Sequence, residues 1–471
     1  MTFSPVSSSS SSASVTPPPP LGAPRYPFEQ LNKESIKLGL HRLHFILEQW
    51  NHPQNELPCV HVAGTNGKGS VCTLLSHGLV AQGFKVGLTI SPHVFSVHER
   101  IQLNNTPITH EAMATHSTKL WSKLTQLLGP YHAGHEEWPT YFEFLILLAF
   151  RVFREEGVDI VILETGLGGE LDATNVIASP LCSVITSIGW DHMDRLGDTL
   201  TAIATAKAGI IKPHCPVVLG SNIPTEAKDT LLRVANERHA GPVLQADAAV
   251  LQSYTPFTPQ GTQRIHNRIS HETLELGLLG QHQLHNLATL LATMNTLQRH
   301  GFMRNKKAFY QGLARARWVG RLQYVPQQRC FIDGSHNSEG FEALKHSLKE
   351  VVGHAPLVWL LSLRNNRPME ALLPLLRAYA SQSIGVVITE PAWQTAGLYH
   401  SPQVLRQFLR EQLPELETRF IWAGQAPPEA VRLWQSVIHT HPTALGLATG
   451  SLYPLPEYLS LLGLAPDKVA L

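Results

Sequence analysis

Between His61 and Ser70 the chain reads His-Val-Ala-Gly64-Thr65-Asn66-Gly67-Lys68-Gly69-Ser70, packing three glycines, a lysine and two hydroxyls into seven positions. Glycines let backbone N–H groups converge on an anion with no Cβ in the way. A helix starting here would add the partial positive charge of its N-terminus, and Lys68 supplies a full charge for the β- and γ-phosphates of a nucleotide. The string departs from the generic phosphate-loop pattern, because Val62 stands where the first glycine would be and Gly69 separates Lys68 from Ser70. An Asn66-Gly67 turn beside a solvated lysine is the other reading of these residues. Their placement between an apolar run and a helical pattern favours the phosphate reading.

Four further positions carry chemistry. Glu164 closes an apolar run just before a Gly-rich turn, at the kind of strand end where α/β sheets place ligands; the same carboxylate would also suit a turn-stabilising role. Asp191-His192 offers a carboxylate and an imidazole, and equally suits a helix-start cap with a solvated ring. Lys207 lies near the end of a helical pattern, where a surface lysine is also at home. The cluster Asp333-Gly-Ser-His336-Asn337 follows a second apolar run, and its placement favours function.

The elements needed to position these residues alternate in type. Strands are predicted at 59–62, 85–90, 159–164 and 182–188, and helices at 70–82, 140–156 and 199–209, with Thr140 and Glu143 spaced as a capping box. The 159–164 and 182–188 runs are apolar on both alternating faces, as strands covered on both sides must be. This rhythm implies a mostly parallel sheet with helices on both faces. Helices at 282–300 and 305–315 lead to a boundary near Arg317. A second, smaller α/β series follows, with strands at 329–333, 356–361, 384–389, 419–422 and 444–448 and helices such as 338–352 and 401–413. The expected organisation is a Ser/Pro-rich disordered tail over 1–25, a larger domain over 26–316 and a smaller one over 317–471.

Composition narrows the class. Lys plus Arg number 37 against 36 Asp plus Glu, so the balance of charge calls for neither nucleic acid nor a membrane surface. Five widely spaced cysteines without a CxxC argue against a disulfide framework or structural zinc and fit a reducing, cytoplasmic setting. No apolar run is long enough to span a membrane.

The loop Gly64-Thr-Asn-Gly-Lys-Gly-Ser70 resembles the ATP loop of the folylpolyglutamate synthase/dihydrofolate synthase family of the Mur ligase superfamily. The likeness continues in order through Ser91-Pro92-His93 with Glu99-Arg100-Ile101, Thr140-Tyr-Phe-Glu143, Glu164-Thr-Gly-Leu-Gly-Gly-Glu170-Leu-Asp172-Ala-Thr-Asn175, Asp191-His192, Lys207-Ala-Gly-Ile, His282-Gln283 with Asn286, Gly320-Arg321, Asp333-Gly-Ser-His336-Asn337 and Gly450-Ser451. It spans about residues 30 to 455.

This resemblance implies a Mur-ligase-like P-loop domain for ATP and folate, plus a Rossmann-like C-terminal glutamate-ligase domain. It implies a monomeric enzyme acting on ATP, L-glutamate and dihydropteroate or reduced folates through an acyl phosphate. Gly64, Thr65, Asn66, Gly67, Lys68, Gly69, Ser70, Asn286, Arg321 and Asp333 would bind ATP. Ser91, Glu164 and His192 would hold Mg²⁺, with two ions and a monovalent cation as cofactors and a carbamylated Lys207 helping to hold the second ion. Lys68, Lys207 and His336 would be catalytic. Gln30, Leu31, Asn32, Lys33, Thr140, Tyr141, Phe142, Glu143, Leu171, Asp172 and Ala173 would meet the folate.

The chain departs from the family at Glu170, where arginine is common, and at Ser335, where alanine is usual. Arg364-Asn-Asn-Arg367 matches the family's DKD stretch only loosely. Three other readings remain: a Mur-type ligase acting on a cell-wall nucleotide precursor, a nucleotide switch protein, and a ligase-derived binding protein. The direct Gly67-Lys68-Gly69-Ser70 order leans away from the first, and the missing NKxD element leans away from the second.

Overall fold

In the computed structural model, the run read as the first strand is Cys59–Ala63, buried along its whole length. It lies in the middle of an eight-stranded sheet, parallel to Ile160–Glu164 on one side and Cys182–Ser187 on the other. Val86–Thr89 continues the sheet beyond Ile160–Glu164 in parallel, and Ile101–Leu103 and Thr106–Pro107 finish that edge antiparallel. Val217–Asn222 and Val243–Gln245 extend the opposite edge in parallel. The structure describes residues 26–33, 37–255, 257–258, 261–391 and 397–464; the Ser/Pro-rich stretch 1–25 lies outside them.

Strand alternation divides the core. Ile160 and Ile162 join one apolar cluster with helices Lys68–Ala81, His282–Gln298 and Lys306–Arg315. Val161 and Leu163 join another with Tyr141–Glu156 and His110–Leu128. The sheet is therefore covered on both faces, which is why its central strands read as unbroken apolar runs. The Tyr141–Glu156 helix begins with the capping box its sequence announces: Thr140 Oγ1 accepts from Glu143 N, and Glu143 Oε2 accepts from Thr140 N.

Residues 316–322 lead to a six-stranded sheet. Its order is Gln323–Val325, Cys330–Ile332, Leu445–Thr449, Leu357–Leu361, Ser383–Thr389, Phe420–Gly424, parallel except at the first pair. Ser338–Val352 and Pro402–Gln412 pack one face, and Pro427–Thr440 and Leu455–Leu461 pack the other. The strands expected here all form, with ends moved by about two residues at most, the usual uncertainty of element boundaries.

Among the elements not anticipated are the edge strands Ile101–Leu103, Val217–Asn222 and Val243–Gln245, the helices His110–Leu128 and Thr225–Glu237, and an antiparallel sheet of Leu251–Thr255, Gln263–Asn267 and Thr273–Leu276. The antiparallel sheet's inward residues, Ile265, Leu274 and Leu276, are few and separated by polar residues. A search for buried parallel strands passes over such a half-exposed pattern. All five cysteines are buried free thiols. Among the described residues no helix is long and apolar enough to cross a membrane.

Candidate active site

The Cys59–Ala63 strand delivers the Gly64–Ser70 loop to a cleft of about 1990 Å³ between the two large sheets. Gly67 adopts φ 84° as the N-cap of Lys68–Ala81, and no side chain caps that helix end. A Cβ on Gly67 would come within 2.2 Å of Asn286 Oδ1, so glycine is needed both for its backbone angle and for this close approach. Asn286 Nδ2 donates to Gln283 Oε1 at 2.8 Å within the His282–Gln298 helix, and Gln283 Nε2 donates in turn to Ser70 Oγ at 3.4 Å, which ties the start of that helix to the loop. Thr186 Oγ1 and Ser187 Oγ both donate to Asn66 O, fixing the loop from the next strand.

Two lysines meet on one carbonyl. Lys68 Nζ donates to Gly64 O at 2.9 Å and to Thr65 O at 3.2 Å, and Lys207 Nζ donates to the same Gly64 O at 3.0 Å. Lys207 is 5% exposed. Burial first, and the neighbouring Lys68 charge second, bring its amine down to about 7.

Glu164 ends its strand within the cleft at 4% exposure, and its Oε2 accepts from Ser91 N at 3.0 Å. Burial raises its carboxyl pKa even though Lys68, the Ser91 N–H, Arg321 and Arg100 all favour the ionised form. His192 lies across the cleft in the left-handed region, φ 50°. Although its side chain is half exposed, partial desolvation, helped by the Arg367, Lys207 and Lys68 charges, lowers its pKa against the pull of Asp191, which favours a neutral ring able to ligate. Among the described residues no three His, Cys, Asp or Glu side chains gather as a metal cluster. A cation at Glu164 would thus rely on one carboxylate, a hydroxyl and oxygens from substrate or water, which suit Mg²⁺, and on an imidazole, a less usual ligand for that ion.

The second lobe supplies the opposite wall. Asp333 follows Cys330–Ile332, and its two oxygens accept from Leu322 N and Ser335 N, each at 2.8 Å. Its carboxylate thereby fastens the turn that carries Arg321. His336 Nδ1 donates to Gly334 O at 2.8 Å, leaving Nε2 as the acceptor, and burial lowers the ring's pKa. Asn337 caps Ser338–Val352 through Gly340 N at 2.7 Å.

The residues named from sequence converge to different degrees. Thr65 to Ser70, Ser91, Glu164, His192, Asn286, Arg321, Asp333 and His336 all line this one cleft, as do Lys33, Thr140, Phe142, Glu143, Leu171, Asp172 and Ala173. Gly64 and Lys207, bonded to each other beneath the loop, do not line it, nor do Gln30, Leu31, Asn32 and Tyr141; Leu31 and Tyr141 are core residues, with Tyr141 against Phe28. They are apolar or aromatic residues beside a buried helix start, and burial claims them. Glu143 is committed as well: Arg42 grips it through Nε at 3.0 Å and Nη2 at 2.9 Å. Asp172 serves its own turn, accepting from Leu167 N, Thr174 N and Thr174 Oγ1. Glu170 is exposed, 4.0 Å from Arg238.

Trp318 and Glu339 escaped the sequence reading, and Arg100 and Arg367 entered it only inside motifs, without a role. Trp318 covers Gly69. Arg367 reaches Asp191 at 3.6 Å across the lobes. Arg100 donates to His93 at 2.8 Å. Glu339 joins the phosphate loop to the second lobe, accepting from Asn66 Nδ2 at 2.8 Å and Trp190 N at 3.0 Å. Of the two unnamed residues only Glu339 left a signal, as an acidic residue in the first turn of a helix directly after the His336-Asn337 motif.

Comparison with known proteins follows this geometry. Residues 62–294 match the Mur ligase middle domain family. The chain is 34% identical to a dihydrofolate synthase/folylpolyglutamate synthase of Bacillus subtilis over 358 residues, 74% of this chain and 80% of that one. It is 32% identical to a dihydrofolate synthetase of Saccharomyces cerevisiae, over 73% of this chain and 80% of that one. A folylpolyglutamate synthase of Mycobacterium tuberculosis, solved with ADP and AMPPCP, superposes with a TM-score of 0.77 at 26% identity, covering 91% of this chain and 96% of that one.

Proposed function

The chain belongs to the folylpolyglutamate synthase/dihydrofolate synthase family, and from that membership and the cleft we infer that it is an ATP-dependent ligase joining L-glutamate to dihydropteroate or to a folylpolyglutamate. The observation that carries the reading is the convergence of an uncapped Gly-rich helix start and Lys68 with Glu164, Ser91 and His192 in one cleft. Its far wall holds His336 and Arg321, and its side wall holds Lys33, Phe142 and Leu171. The cell-wall precursor reading is not favoured, since the relatives described above act on folates by name.

The residues divide the work. The loop N–H groups and Lys68 hold the β- and γ-phosphates. A carboxylate oxygen of the acid attacks the γ-phosphorus, the bond to the β-phosphate oxygen breaks, and ADP leaves with that electron pair. The amine of glutamate then attacks the acyl carbon, inorganic phosphate leaves, and the amine proton passes to His336 Nε2, the ring nitrogen left free by the Gly334 bond. Glu164, Ser91 and His192 would hold Mg²⁺, which supplies charge neutralisation at the transferring phosphoryl group. Lys207, with an amine near neutrality in its deprotonated form, is poised to take up CO₂: Nζ bonds to the carbon, a proton is lost, and an anionic carbamate replaces an ammonium. Closing the two walls around the acyl phosphate keeps water from it. ATP contact by Asn286, Arg321 and Asp333 and folate contact by the side wall belong to the same reading.

Purified protein incubated with Mg²⁺-ATP, glutamate and either dihydropteroate or tetrahydrofolate is expected to release phosphate only when the pterin acid is present. The product should gain one glutamyl residue by mass. Phosphate release indifferent to the pterin would refute the reading. Labelled bicarbonate should give a carbamate carbon resonance that Lys207→Met abolishes.

A further inference from the structure

Arg100 lies in the cleft wall at the end of the short Val97–Arg100 turn. Its Nε donates to His93 Nδ1. That contact needs an unprotonated Nδ1 as acceptor, so the ring holds the guanidinium in place without neutralising it. The acid next in sequence is unavailable as a partner, because Glu99 Oε2 accepts from Val94 N and Oε1 accepts from Phe95 N and Ser96 N. Among the described residues no carboxylate forms an ion pair with Arg100, and its remaining N–H groups make no hydrogen bond. Arg100 also lines a small recess with Ser91, Phe142 and Glu164, where the folate-side wall meets the nucleotide side.

Glu164 and Glu99 act on this guanidinium only through space, without a hydrogen bond; a largely buried guanidinium with no carboxylate in direct contact is costly, and its planar fork matches one. The reaction brings one anion to this junction that no residue above neutralises. It is the carboxylate of the acid, which must approach the triphosphate against charge repulsion. Lys68 and Arg321 lie on the nucleotide side. We propose that Arg100, oriented by His93, binds the carboxylate of the pterin acid and then the acyl phosphate made from it. This rests on the ligase reading and adds a substrate-touching residue to it.

Equilibrium binding separates this role from a structural one. The probes are dihydropteroate and its carboxamide, or tetrahydrofolate and its γ-carboxamide, whichever acid the wild type phosphorylates. Wild type should bind the acid more tightly than the amide. Arg100→Gln should weaken the acid by about 10- to 100-fold, the worth of a charge-assisted pair, and leave the amide unchanged. Arg100→Lys should keep part of the preference, and it carries the test if the Gln variant does not fold. Equal losses for acid and amide, or an unchanged preference in a folded variant, would overturn the assignment. A wild type that releases no phosphate with any pterin acid would instead count against the ligase reading.

Discussion

Two strand–loop–helix junctions face each other across the cleft, and they use the same local design to opposite ends. In the first, Cys59–Ala63 runs through Gly64–Gly67 into Lys68–Ala81 with no side chain on the helix end. In the second, Cys330–Ile332 runs through Asp333–Asn337 into Ser338–Val352, and Asn337 caps the helix while Glu339 sits in its first turn. Any helix start leaves several N–H groups without intrahelical partners. The first junction leaves them for an anionic ligand and lines them with glycine and lysine. The second caps one of its own through Asn337 and adds a negative charge, which disfavours phosphate there. What it offers instead is reach: Glu339 extends to Asn66 and Trp190. A strand end facing a cleft is thus no guide to the ligand until its cap is known.

The largest effect should come from removing the charge at the open junction. Lys68→Ala is expected to lower pterin-dependent phosphate release by about 10²- to 10³-fold, as losing one preorganised electrostatic group does. Its melting temperature should barely move, because the Gly64 carbonyl it leaves still accepts from Lys207 and Thr65 lines the cleft. A large drop in melting temperature would show that the lysine holds the loop together and would erase the contrast drawn here.

Lys207 should follow, with about a 10- to 100-fold loss in Lys207→Met, typical of removing support for a metal site. Its pH behaviour has a definite sign. With the folded amine at about 7 against 10.5 unperturbed, the neutral form grows as pH rises through 7, and bicarbonate activation should grow with it. Between about 7 and 10.5 the unfolded chain binds the extra proton, so unmodified wild type should gain stability as pH rises through that window. Lys207→Met should flatten this slope in denaturant melts run without bicarbonate; an unchanged slope would place its cause elsewhere.

The open junction was legible in the sequence because its chemistry is local: glycine, lysine and hydroxyl sit in one short segment. The strands beneath it were legible because both their faces are buried. The cross-lobe contacts were not. Nothing in the spacing of Arg367 and Asp191, or of Glu339 and Asn66, indicates that residues so far apart in sequence will touch; the packing of two sheets decides it. Arg100 was visible in its motif, but its lack of a bonded carboxylate depends on Glu99 turning to three backbone N–H groups, a loop geometry no periodicity reveals. Tyr141 shows the reverse error, an aromatic residue beside a site that the core claims.

At the closed junction the effects should be smaller. Asn337→Ala removes a helix cap and should cost about 1 kcal/mol of stability, and Asn337→Gly only a few tenths, measured by urea melts. If both cost nothing, water or substrate must already serve that end, and the two junctions would differ less than their caps suggest.

Smallest of all is the tie between the junctions. Glu339 is half-buried and its bonds are partly open to solvent, so each should contribute modestly. Asn66→Ala, Glu339→Ala and the double variant form a cycle in which turnover at saturating ATP reads the coupling. Residues in one hydrogen-bonded pair commonly couple by about 0.5 to 1 kcal/mol or more, so the double variant should lose two- to five-fold less than the product of the single losses. Strict multiplicativity would mean that the two helix starts act independently, and that the reach of the second junction contributes nothing to the chemistry of the first.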